Sequence, residues 1–236
     1  SIGTPLVGMV QDGLAAFEPS YVDELATILE WSFEYIQRDG SGENTSEWLR
    51  DSHGGSVYLR LSTRRTHQLK RNLSPEQRTA IIEGGYWVFE PETNAELALI
   101  YSGAVVQEVT EAFELIREDL PGAGLLAVTS SDRLNAGWQA AKRSRHHGGP
   151  RTVSLVEKLL EPLAENATLV TILDGPPATL SWLGGVRGHC VESLGVEHFG
   201  QSGSIDDLYR HYGLDTQTII DACASAYLNA LGYHDH

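Results

Sequence analysis

The sequence predicts an α/β fold in which a mixed, mostly parallel sheet lies between layers of helices. Three observations carry that expectation. Short apolar runs rich in Leu, Ile and Val alternate with stretches of helical periodicity, the pattern of buried strands joined by crossover helices. Glycine- and proline-bearing breaks separate these segments at short intervals. The chain has 236 residues, 41% hydrophobic and 21% charged, which suits a sizeable core and excludes a disordered or coiled-coil chain.

Leu14-Ala15-Ala16-Phe17 is a strand-length apolar run ended by Pro19. Ser20 can cap a helix, and Val22, Leu25, Ala26, Leu29 and Phe33 recur behind it at helical spacing. Arg38 to Asn44 is a turn-rich break. β-Branched and aromatic content makes Ser56 to Leu61 a strand, and a polar, basic stretch from Thr63 to Arg71 follows. In Ser74-Pro75-Glu76-Gln77 a cap, a proline at the first helical position and a capping-box glutamine start a helix.

Beyond Gly84-Gly85 the pattern is regular. Tyr86 to Phe89 and Leu97 to Tyr101 are strands. Val105 to Glu118 is a helix with Val105, Val109, Ala112, Phe113 and Ile116 on one face, and Leu125 to Val128 is a strand. Arg143 to Pro150 reads as an exposed loop, Thr152 to Ala164 as a helix closed by Asn166, and Leu169 to Leu173 as a strand. A short helix over Ala178 to Val186 leads to a strand within Val191 to Phe199. Two helices end the chain, Ile205 to Tyr212 and Thr216 to Leu231, separated by Gly213. A boundary near Asn72–Gly84 divides residues 1–73 from residues 84–236, with 74–83 as linker. The first unit, with two strands and one good helix, cannot close a core alone, and the chain starts Ser1-Ile2-Gly3. Both features lead us to expect a piece of something longer.

Charge and cysteine usage narrow the function classes. Seventeen basic residues against 32 acidic ones give a net charge of −15, which argues against a broad nucleic-acid-binding face. Runs such as Leu97 to Tyr101 fall far short of the ~20 residues of a membrane span, and no secretory leader pattern is visible. A cytoplasmic protein is expected. Cys190 and Cys223, with no CxxC spacing, read as buried free thiols, with one Cys190–Cys223 disulfide as the lesser alternative.

Few local constellations suggest chemistry. In Glu197 to Asp215, Gly200 and Gly203 permit tight turns and Ser204 with Asp207 forms a capping box. The helix start there could hold an anion or be a structural joint. Lys142, Arg143, Arg145, His146, His147 and Arg151 form a basic cluster, read either as a docking patch or as a solvated loop. His146-His147 has no third ligand at metal spacing, and His234-Asp235-His236 reads as a fraying end. Trp87, Trp138 and Trp182 read as core residues. Ser102-Gly103-Ala104 lacks the three-glycine dinucleotide pattern, leaving a nucleotide binder as a weak alternative from spacing.

The segment Phe199-Gly200-Gln201-Ser202-Gly203-Ser204-Ile205-Asp206-Asp207-Leu208-Tyr209-Arg210-His211-Tyr212-Gly213-Leu214-Asp215 resembles the last-domain signature of the transketolase-like thiamine-diphosphate enzymes. Ser102-Gly103, Leu126 to Ser131 and Ile172-Leu173-Asp174-Gly175 precede it in that domain's order. Leu14 to Leu25 and Val57 to Thr63 are similar to the end of the family's pyrimidine-binding domain. The likeness is nearest to homodimeric pyruvate dehydrogenase E1 components, then to transketolases. It implies a three-layer transketolase C-terminal-like domain over residues 84–236, preceded by the incomplete tail of a pyrimidine-binding domain.

The resemblance further implies a parent enzyme that decarboxylates a 2-oxoacid or transfers a ketol unit, with thiamine diphosphate and Mg held by a GDG…N motif and activated by a glutamate. Gln11-Asp12-Gly13, Arg38-Asp39-Gly40 and Leu173-Asp174-Gly175 do not reproduce that motif. No catalytic residue, cofactor or metal is therefore expected on this chain alone, which is expected to be inactive by itself. The resemblance implies substrate-binding candidates at Arg64, Arg65 and His67, where transketolases carry a phosphate-binding arginine and a planar guanidinium suits a phosphate. A solvated basic loop is the plain alternative. Gln107-Glu108 stands where pyruvate dehydrogenase relatives tend to place a histidine. The implied partners are the rest of the parent enzyme or a separate N-terminal subunit, a second copy in a homodimer, and an acyltransferase component of a multienzyme complex. A non-catalytic assembly or regulatory module is the alternative of a different class.

Overall fold

The computed structural model describes residues 3–11, 13–41, 53–149, 151–198 and 200–232. The chain opens with α1 (Thr4–Val10), β1 (Leu14–Phe17), α2 (Val22–Tyr35) and β2 (Ser56–Leu59). β1 and β2 form a parallel two-stranded sheet with Leu14 opposite Ser56 and Phe17 opposite Leu59. Helix α3 (Pro75–Glu83) leads to β3 (Gly85–Phe89), β4 (Ala95–Ser102), α4 (Val106–Asp119), β5 (Gly124–Val128) and α5 (Ser131–His146). Then come α6 (Leu155–Leu159), β6 (Leu163–Leu173), α7 (Ala178–Ser181), α8 (Gly184–Arg187), β7 (Cys190–Leu194), α9 (Ile205–Tyr212) and α10 (Thr216–Gly232).

The second sheet has five strands in the order β3-β5-β4-β6-β7. β3 runs antiparallel to β5, and the other pairings are parallel. This is the mixed, mostly parallel α/β sheet expected from the sequence. Side chains alternate across a strand, and central β4 shows it. Leu97, Leu99 and Tyr101 enter one core with Val109, Ala112 and Phe113 of α4. Ala98 and Ile100 enter the other with Leu134 and Trp138 of α5 and Val156 of α6. Each such Leu, Ile or Phe contributes roughly 1.5–3 kcal/mol by leaving water. The first core does not stop at the five-stranded sheet. It runs through Ile81 of α3 into Phe17 of β1 and Ile28 and Tyr35 of α2.

Several elements differ from the sequence expectation. Residues 143–146 are the last turn of α5, not a loop. The buried face of α5 holds Ser131, Arg133, Gly137 and two alanines beside Leu134 and Trp138, so no apolar stripe marks it. The helix expected over Thr152 to Ala164 is only five residues long. Pro162 cannot donate a helical hydrogen bond, and Leu163 already pairs with Ala95 of β4. Cys190 is exposed at the start of edge strand β7, and Cys223 is buried; both are free thiols.

Helix α2 turns a different face inward from the apolar one. Its buried residues are Glu24, Thr27, Ile28, Ser32 and Tyr35. The polar members are satisfied locally. Ser32 Oγ donates to the Ile28 carbonyl at 2.6 Å and Thr27 Oγ1 to the Asp23 carbonyl at 2.9 Å. Of the turn-rich break, residues 42–44 lie outside the described residues, as do Phe199 and His234 to His236. No helix among the described residues is long and apolar enough to cross a membrane.

Candidate functional site

In an open α/β sheet, ligands sit beyond the carboxyl ends of the strands, where the direction of crossover reverses. Here that point lies between β4, which leads to β5 on one side, and β6, which leads to β7 on the other. The chain itself fills the crevice. β1 lies along it, with its Ala16 N–H donating to Asp132 Oδ2 at 3.1 Å and its Ala16 carbonyl accepting from Ser130 Oγ at 2.6 Å. Glu18 N–H donates to the Thr129 carbonyl at 2.8 Å, and Ser20 Oγ donates to the Gly103 carbonyl at 2.9 Å. The space left among Phe17, Glu18, Ser102, Ser130 and Asp132 is about 10 Å³, roughly one water.

Charges close the mouth. Glu18, 9% exposed, accepts from Arg60 Nη1 at 2.8 Å, and Arg60 Nη2 lies 3.9 Å from Asp174 Oδ2. Burial lifts the Glu18 carboxyl above its ordinary range, and Arg60 only partly offsets that. The three charges stand just after β1, β2 and β6. A charged residue immediately behind an apolar strand run is the signal that could have found them.

The sequence candidates lie on the adjoining segment. Arg64 makes a bidentate pair with Glu108 of α4 at 2.8 and 2.5 Å. Its guanidinium also stands 5.3 Å from the Tyr209 ring centroid on α9. Both charged side chains are largely covered, at 16% and 12% exposure. Burial, then the Asp174 and Glu108 carboxylates, holds the Tyr209 phenol above its ordinary pKa. Glu108 and Tyr209 line an open cleft of about 380 Å³ with Asp206, Arg210, Asp215 and Thr216. Arg65 and His67 are exposed. Only Arg64 of the three is thus shown packed against the cleft wall.

A buried cluster ties the two sheets together behind this surface. Glu24 of α2, with no exposed area, accepts from the Tyr86 hydroxyl of β3 at 2.5 Å and from the Ser20 and Tyr21 N–H groups at 2.6 and 3.0 Å. Arg71 pairs with Asp23 at 2.7 Å and stands 5.0 Å from both the Tyr21 and Tyr86 rings. Burial raises the Glu24 pKa, opposed by those three hydrogen bonds and by Arg71.

Other residues singled out in the sequence find partners within the chain. Ser204 caps α9, accepting from Asp207 N–H at 3.2 Å, and Gly213 ends that helix at φ +67°. Arg145 of the basic cluster pairs with Glu157 at 2.8 Å, and Lys142 lies 4.3 Å from the Trp138 ring centroid. Trp138 and Trp182 stack at 5.6 Å.

A magnesium–diphosphate site needs converging oxygen donors. Among the described residues no three His, Cys, Asp or Glu side chains form such a group. Asp39 is exposed and accepts from Ser41 N–H at 2.9 Å, while Asp174 faces Arg60. Asp39 and Asp174, so engaged, do not fit the cofactor; Asp12 lies outside the described residues, and no step through the cofactor follows.

Fold and site together define a doubly wound α/β domain whose ligand mouth is stoppered by a preceding strand–helix–strand unit. Residues 84–215 match the family model of the transketolase-like C-terminal domain. The chain belongs to that family. Solved structures agree on the fold. A transketolase from Pichia stipitis in complex with sedoheptulose 7-phosphate superposes with a TM-score of 0.68 at 13% identity, covering 98% of this chain and 28% of that one. Transketolase from Leishmania mexicana gives 0.66 at 14% identity, covering 96% and 27%. A split-gene transketolase, described as an inactive β4 tetramer, gives 0.62 at 15% identity, covering 97% of this chain and 62% of that one. The chain thus spans just over a quarter of the first two. No curated protein sequence matches it.

Proposed function

We propose that this chain is the C-terminal portion of a thiamine-diphosphate-dependent, pyruvate dehydrogenase-like E1 enzyme. In this reading it supports the dimer and the active-site entrance and carries none of the catalytic groups. Residues 1–73 are the tail of the pyrimidine-binding domain and residues 84–236 the C-terminal domain. The partner is the rest of the enzyme or a separately encoded N-terminal subunit, and the expected compartment is the cytoplasm.

The observation that carries this reading is the closed crevice. The mouth that would take a ligand holds β1 and Glu18 instead, so the C-terminal sheet serves as a socket for the preceding unit. Among the described residues that unit leaves a strand edge open. Ser56 and Arg60 N–H groups bond to Gly13 and Phe17 carbonyls of the β1 segment, so the alternate residues Val57 and Leu59 turn their amides to the other edge of β2. A parallel sheet is normally larger than two strands and covered.

Ketol transfer between sugar phosphates, as in a transketolase, is the second reading, favoured by the fold likeness. The Arg64–Glu108 pair weighs against the second. A guanidinium already held bidentately by a carboxylate is a poor receptor for a sugar phosphate.

Calorimetric titration of the chain with thiamine diphosphate and Mg²⁺ tests the role. We expect no binding heat, and tight binding would overturn the reading. Turnover by the assembled enzyme of a 2-oxoacid, and not of a ketose phosphate, separates the first reading from the second.

A further inference from the structure

The 17 lysines and arginines of this acidic chain gather in two stretches, and the two are used differently. The first follows β2 and spends its arginines inside the molecule. Arg60 pairs with Glu18, Arg64 with Glu108 and Arg71 with Asp23. The second lies at the end of α5 and runs into α6. Lys142, Arg143, Arg145, Arg151 and Lys158 stand there with a single acidic residue, Glu157, and Arg145 takes it at 2.8 Å. Among the described residues, no carboxylate lies within ion-pair distance of Lys142, Arg143, Arg151 or Lys158. In a chain with 32 acidic residues and a net charge of −15, four unpaired cations side by side make a local positive pole in a negative field.

The pole is built on ordered backbone. Lys142 and Arg143 belong to the last turns of α5. His146 and His147 donate from Nδ1 to the Lys142 and Arg143 carbonyls at 3.1 and 2.8 Å, so the chain's own side chains cover the negative end of that helix. Past the helix, Gly149 N–H donates to the Ser144 carbonyl at 2.9 Å, and Arg145 Nη1 donates to the Thr152 carbonyl at 2.8 Å. These bonds strap the segment bearing Arg151 back to the helix. Arg143, Arg151 and Lys158 are exposed, and Lys142 rests on the Trp138 ring, 4.3 Å from its centroid. Val153 stands among them, 48% exposed.

We propose that this pole docks a short acidic segment of a partner polypeptide. Consecutive helical residues point about 100° apart, so Lys142 and Arg143 splay. They suit carboxylates spaced along a chain better than one phosphate group. The rest of the surface disfavours a nucleic acid, whose continuous charge would run off the pole onto acidic ground. A short acidic segment ends on the pole, with carboxylates on the guanidinium groups and an apolar residue on Val153. Each exposed ion pair is weak, so the contact is salt-sensitive and governs partner choice more than tightness. It holds whichever substrate the parent enzyme takes.

Fluorescence anisotropy of a labelled glutamate peptide of about twelve residues, titrated with the 236-residue chain at low and at physiological ionic strength, tests this. The wild type is expected to bind at low salt and to weaken as salt rises. Arg143→Glu with Arg151→Glu is expected to weaken binding at least about tenfold. Arg65→Glu with Lys70→Glu makes the same change in net charge at two exposed cations of the first stretch and is expected to shift affinity less than about twofold. Both double variants should keep the wild-type circular dichroism melt. A wild type that does not bind at low salt overturns the proposal. So does binding that survives the first double variant, or that falls equally in the second. A single-stranded oligonucleotide of equal charge that binds more tightly than the peptide assigns the pole to nucleic acid and overturns it as well.

Discussion

A carboxyl group with no exposed area stands at the seam between the two sheets, and it couples stability to pH. Glu24 is lifted above the ordinary glutamate value of 4.5 by burial. Its unfolded form therefore loses its proton first as pH rises. The stability it contributes is fully present below the unfolded value and is lost as pH climbs through the higher folded value. Glu24→Gln removes that loss. In urea melts at mildly acidic and at neutral pH, the variant should gain on the wild type as pH rises; a constant difference would contradict the assignment. At this scale the sequence pointed to Arg64 through resemblance alone, and it flagged Glu108 as a departure without revealing that the two pair. Glu18, Arg60 and Asp174 escaped because each looked like the end of a strand, and only folding places their charges together.

Elements were legible where local chemistry agreed with burial. Ser74 accepts from Gln77 N–H at 3.2 Å and Gln77 Oε1 accepts from Ser74 N–H at 3.0 Å, as the capping box required, and α3 starts where expected. Ser74→Ala should cost about 1 kcal/mol in chemical denaturation. β4, β5 and α4 were equally plain because apolar content and burial coincide in them. α5 was hidden because Arg133 lies on its buried face, with Nε donating to the Ile82 carbonyl at 2.6 Å and its guanidinium 4.5 Å from the Trp31 ring centroid. In α2 the helical period was legible and the buried face was not. Val22, Phe33 and Ile36 are exposed, while Glu24 and Ser32 are held inward beside Ile28 and Tyr35 by specific hydrogen bonds.

On the scale of the whole molecule, one core runs through both sheets. The two-stranded sheet should therefore not melt ahead of the other. With Trp31 as the sole reporter of the first sheet, after the other tryptophans are replaced by phenylalanine, its fluorescence and far-ultraviolet circular dichroism should share one midpoint. An earlier fluorescence transition would show two separable units. The stoppered mouth has a consequence for how such sequences can drift. Ser130 and Asp132 bond the backbone of Ala16, and Ser20 bonds the backbone of Gly103, so substitution at Ala16 leaves those partners in place. Arg60 is instead matched side chain to side chain with Glu18 and Asp174. A change on one side of such a pair is tolerated only with a compensating change on the other. Across relatives, Glu18, Arg60 and Asp174 should vary in concert.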